Sequence, residues 1–108
     1  MENQSPFLAM QRAETELKSL LRTIDTDLLT PDEKKAVASL RRLSVDTRLD
    51  IRDYELSETR AEQIEKAAEA KKRLAKLQKN LLAAGNVFGP ADIAQLDAQF
   101  AQINGWLL

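Results

Sequence analysis

Neither cysteine nor histidine occurs in this chain, and glycine and proline appear only three times each in its 108 residues. The missing cysteine removes disulfides, thiolate metal sites and thiol nucleophiles, and it suits a reducing compartment, so a cytoplasmic protein is expected. The missing histidine takes away the commonest general base and the commonest metal ligand, which weighs against hydrolytic and metal chemistry. No window approaches the ~20 apolar residues that a spanning helix needs, so no integral membrane association is expected. The opening segment Met1–Pro6 has no basic residue and no apolar stretch of the signal-peptide kind behind it, and no export signal is expected. Nor is charge of one sign in excess. The formal net charge is -1, which argues weakly against polyanions as the main partner.

What is present is a helical composition. Leucine and alanine dominate the apolar residues, and the length fits one domain near the lower end of self-supporting cores. Three helix starts are written as a capping residue followed by proline: Ser5-Pro6, Thr30-Pro31 and Gly89-Pro90. The middle one, Thr30-Pro31-Asp32-Glu33, has the spacing of a capping box with carboxylates on the positive helix end. A stop is expected at Ala83-Ala84-Gly85-Asn86, with Gly85 left-handed.

The first helix is expected from about Pro6 to Leu28, with Met10, Ala13, Leu17, Leu20, Leu21, Ile24 and Leu28 on one stripe. The last runs from Pro90 to about Trp106, with Ile93, Leu96, Phe100, Ile103 and Leu107 at heptad spacing. Between Thr30 and Gly85 no glycine or proline occurs, so residues 31–84 read first as one helix, spanning about 80 Å. The alternative is a break near Leu56-Ser57-Glu58-Thr59, where Ser57 or Thr59 would cap a second helix and the chain would fold back into a four-helix bundle. The fold class is all-α either way, with short N- and C-terminal helices packed antiparallel on a long or broken central helix.

The central segment has two apolar lines. Val37, Leu40, Leu43, Thr47, Ile51 and Tyr54 form one, and Val45, Leu49 and Leu56 lie on another face. Ile64, Ala67, Ala68, Leu74, Leu77, Leu81 and Leu82 continue further on. This excess of apolar face over obvious partners predicts self-association as a homodimer through Ile64, Leu74, Leu77 and Leu81. Charge along the segment changes sign once: Asp53, Glu55, Glu58, Glu62, Glu65 and Glu69 precede Lys71, Lys72, Arg73, Lys76 and Lys79. The plain reading is a solvated helix complementing its own dipole. The sharper one is two antiparallel copies placing acidic against basic blocks.

Chemistry-bearing constellations are sparse. Glu14, Glu16, Glu58, Glu62, Glu65 and Glu69 are mostly opposite the apolar stripes, and di-metal bundles also use histidine, so no metal or other cofactor is expected. Asp46, Asp50 and Asp53 interleave with Arg48 and Arg52 as surface ion pairs would. Ser39, Ser44 and Ser57 have no base in view, and no glycine-rich phosphate loop exists, so the expectation is a protein that is not an enzyme. Arg41, Arg42, Lys72, Lys76 and Lys79 are the residues a nucleic-acid-binding accessory or regulatory protein would use, against interleaved acids and no nearby aromatics for stacking. Leu74, Leu77, Leu81 and Leu82 opposite the basic run allow a membrane-surface helix, although core is the simpler role. Gly105-Trp106-Leu107-Leu108 either closes the bundle end or, with Phe88, forms an apolar anchor for a partner groove, and Trp106 and Phe88 are expected to pack on each other. The leading expectation is a non-catalytic protein–protein interaction module, such as an assembly factor, adaptor or secretion-type chaperone.

Overall fold

A computed structural model describes residues 5–107 and places four α-helices and no strand among them. Helix α1 spans Pro6–Arg22, and the Ser5 hydroxyl caps it by accepting from the Leu8 amide at 3.3 Å. It ends at Arg22, short of the expected Leu28. The Thr23 hydroxyl donates to the Leu20 carbonyl, the Asp25 carboxylate accepts the Asp27 amide, and a 3-10 turn over Thr26–Leu28 leads onward. Ile24 and Leu29 still pack on the core although the helix has ended, so apolar spacing alone runs past the true stop. Leu28, expected in the stripe, is 82% exposed.

Helix α2, Pro31–Glu55, opens on the capping box read from the sequence: the Thr30 hydroxyl accepts from the Glu33 amide, and the Glu33 carboxylate accepts from the Thr30 amide. The unbroken central rod is overturned. Helix α2 stops at Glu55 and α3, Arg60–Ala83, begins after a turn that contains neither glycine nor proline. Side chains do the work there. The Ser57 hydroxyl donates to the Asp53 carbonyl, Thr59 Oγ1 accepts the Glu62 amide, and the Glu62 carboxylate accepts the Glu58 amide at 3.1 Å. The first satisfies a carbonyl at the end of α2, and the other two satisfy amides at the entry to α3 that would otherwise be orphaned.

The stop after α3 falls where expected, but Gly85 is not left-handed, since no described residue has positive φ. A Cβ at Gly85 would stand 3.1 Å from the Leu82 carbonyl oxygen, which the Gly85 amide itself approaches to 3.0 Å. Close approach explains the glycine there. Helix α4, Pro90–Trp106, completes the chain.

The four helices run up, down, up and down around one core. Ser5 bonds Glu55 and Glu14 bonds Arg48, setting α1 antiparallel to α2. Arg73 joins α3 to Asp46 and Asp50 of α2, Gln78 joins α3 to Asp97 of α4, and Gln99 returns from α4 to Glu16 of α1. The short helices do pack on the two halves of the central segment, but those halves lie side by side. Met10, Leu17, Leu40, Ile51, Leu74, Leu77, Leu81, Leu96 and Phe100 are fully buried between the four helices. Each such side chain contributes about 1.5–3 kcal/mol by leaving water. The Cα trace measures 47 × 29 × 17 Å. No helix among the described residues is long and apolar enough to cross a membrane.

Candidate interaction surface

Folding back at residues 56–59 uses up most of the apolar surface that pointed to a homodimer. Leu74, Leu77 and Leu81 are 0% exposed within the chain itself, and of the expected self-association set only Ile64, 52% exposed, keeps surface for a second copy. An interface through those three leucines would require the bundle to open. The expected C-terminal anchor is likewise turned inward. Phe88 and Leu107 are buried, Trp106 is half-buried against the core, and Leu108 lies outside the described residues. Phe88 precedes α4 and Trp106 ends it, so the helix holds them apart and they close opposite ends of the bundle. Trp106 lines a hollow of 250 Å3 between α1 and α4, with Ala9, Arg12 and Gln102.

The basic residues do not form one site. Lys72 and Lys76 share a hollow of 340 Å3 with Asp50, Glu69 and Arg73. Arg42 lines another, of 410 Å3, with Lys35, Ser39 and Leu43. Lys79 is exposed on α3, and Arg41 is exposed on α2. Within the first hollow the Arg73 guanidinium clamps Asp46 at 3.2 Å and also bonds Asp50. Arg73 thus pairs across to α2 and not with Glu69, four residues before it on its own helix. Burial pushes the Asp50 carboxyl above the ordinary Asp value of 3.8, outweighing the Arg73 charge that draws it down.

The side of the molecule formed by α1 and α2 is different. Glu14, grouped with acids expected mostly opposite the apolar stripes, is only 6% exposed. Its carboxylate accepts from Arg48 Nε at 3.0 Å and Lys18 Nζ at 3.1 Å. The signal was present in the sequence, since Glu14 follows Met10 by one turn and precedes Leu17 by another. Above these charges opens a hollow of 580 Å3, with Leu8, Gln11, Thr15 and Arg48 in its lining.

Beside it runs the second apolar line of α2. Asp46 and Asp50 turn towards α3, and Arg48 turns towards α1. Val45 and Leu49, one turn apart and lying between those two directions around the helix, therefore follow the outer edge of α2, in line with Ala38 before them and Leu56 after. Val45 and Leu49 are half-buried yet outside the core cluster, and Leu56 is 69% exposed. The fold covers the first apolar line of α2 and leaves this one without a helix over it.

Lys34, Lys35, Arg41 and Arg42 surround Ala38 and the approach to Val45, and all four are exposed. None of them takes part in an ion pair among the described residues. Arg48 and Arg52 carry the same positive border along Leu49, held by Glu14 and Asp53 respectively. The arrangement is an apolar spine with cationic edges, on a four-helix bundle. Comparison with known proteins finds no match among family models, curated proteins or solved structures.

Proposed function

We propose that this protein is a non-catalytic interaction module that engages another protein through the outer edge of α2. One observation carries the reading: Val45, Leu49 and Leu56 remain outside the core as a row along one helix face after the other apolar line of α2 has been buried. A row of this kind on a helix is the half of an interface that a partner completes. The partner is a different protein in preference to a second copy, because the leucines that favoured a homodimer are spent inside the chain. A cytoplasmic location belongs to the same proposal, since a cysteine-free chain suits a reducing compartment.

A photo-crosslinking side chain placed at Leu49 or Leu56 in the full chain, and at exposed Ala75 on α3 as a control, tests the reading in cells. Discrete protein adducts are expected from the α2 positions and none from Ala75. Adducts of twice the chain's mass would return the homodimer. Equal labelling from all three positions would sink the proposal.

The nucleic-acid alternative, through Arg41, Arg42, Lys72, Lys76 and Lys79, has less geometric support. Arg41 borders the α1-facing edge, whereas Lys72 and Lys76 sit between acids on the other side of the α2–α3 pair.

A further inference from the structure

Resting on the reading above, we propose that the outer edge of α2 docks an acidic amphipathic helix of the partner protein. The apolar spine Ala38, Val45, Leu49 and Leu56 recurs at the spacing with which one helix receives the apolar stripe of another. Its first half is bordered on both sides by cations. Lys34 and Arg41 flank it towards α1, and Lys35 and Arg42 flank it on the far side, all exposed and none ion-paired among the described residues. A helix carrying leucine-like side chains in one stripe with Glu or Asp beside it would meet apolar surface along its middle and opposite charge along both edges.

The surface fits other anionic partners less well. The spine holds only Ala, Val and Leu, without the Trp or Phe that seats a helix in a lipid interface. A phosphate backbone would use the cations and leave the spine uncovered, and no aromatic side chain stands among them to stack on bases. Acidic residues on the edge are already engaged. Asp46 is held by Arg73, and Asp53 pairs with Arg52 at 3.7 Å.

The test uses the full chain and a fluorescein-labelled peptide of about 20 residues, long enough to be helical, with a leucine stripe flanked by glutamates. A shuffled peptide of the same composition, vesicles of phosphatidylserine and phosphatidylcholine, and a mixed-sequence DNA duplex serve as competitors. Saturable binding of the striped peptide is expected, weakened roughly tenfold or more by shuffling. The Val45→Asp and Arg41→Glu/Arg42→Glu variants should each weaken it to a similar degree, whereas Lys72→Glu/Lys76→Glu, on the other side of the α2–α3 pair, should not. The milder Arg41→Gln/Arg42→Gln variant, with an unchanged circular dichroism spectrum, guards against misfolding. Equal binding of the shuffled peptide, or displacement by DNA or vesicles with the same dependence on Arg41 and Arg42, would overturn the proposal. Crosslinks from Leu49 to a partner with no acidic helix would overturn it too, while leaving the interaction module itself standing.

Discussion

Thr47 is completely buried on α2, and its hydroxyl finds no hydrogen-bond partner among the described residues. A hydroxyl in that position loses its water without replacement, and valine has the same branched shape without the polar atom. Thr47→Val should therefore stabilise the protein by about 1 kcal/mol, read as a higher urea midpoint with unchanged slope. Asp50 carries a second residue-scale consequence. Its carboxyl titrates above the ordinary value of 3.8, so between that value and its folded-state value the native chain holds more protons than the unfolded one. Stability attributable to this group thus falls as pH rises through that window and is recovered as pH falls, opposite to the usual carboxylate. Asp50→Asn is expected to be at least as stable as the parent at pH 7, since Arg73 keeps Asp46. The difference should vanish below about pH 4 in thermal melts taken across the range. A parent that loses stability more steeply in acid than Asp50→Asn would refute this.

At the scale of elements, the connection between α2 and α3 depends on the Thr59 cap. Thr59→Ala should cost about 1 kcal/mol in a chemical melt, with Thr59→Ser close to the parent. The same connection shows how far a linear reading reaches. Starts marked by a cap and proline at Ser5, Thr30 and Gly89 were legible because proline admits few alternatives. The cap at Thr59 is visible too, but an unbroken helix reads first, since serine and threonine are tolerated within helices and nothing local forbids continuation. Tertiary packing decides that case: turning at Leu56–Thr59 lets Leu74, Leu77 and Leu81 bury against α2 and the flanking helices. For the candidate site, the row Val45, Leu49 and Leu56 was legible as a second apolar face. Its cationic border was not, because Lys34, Lys35, Arg41 and Arg42 acquire meaning only once the fold shows which face stays uncovered.

For the whole molecule, the Cα radius of gyration is 14.4 Å, against about 13 Å for a compact chain of this length. Small-angle scattering and sedimentation velocity are expected to report a slightly elongated monomer. A rod-like particle would mean that the central segment straightens in solution. Folding back also gathers, on neighbouring helices, the basic beginning of α2 and the basic second half of α3, while Asp53, Glu58, Glu62 and Glu65 cluster near the turn. The chain is near neutral in total yet polarised along its length, and its encounters with charged partners should be orientation-dependent and sensitive to salt.

The turn at Leu56–Thr59 has no residue that obliges it to bend, and each half of the bundle is a pair of helices joined by its own loop. If the turn straightens, α1–α2 of one chain can close against α3–α4 of another, rebuilding the same core from two copies. Domain-swapped exchange of this sort leaves the circular dichroism spectrum almost unaltered and doubles the mass. The turn that makes the chain compact would thereby also be the point at which such an exchange begins.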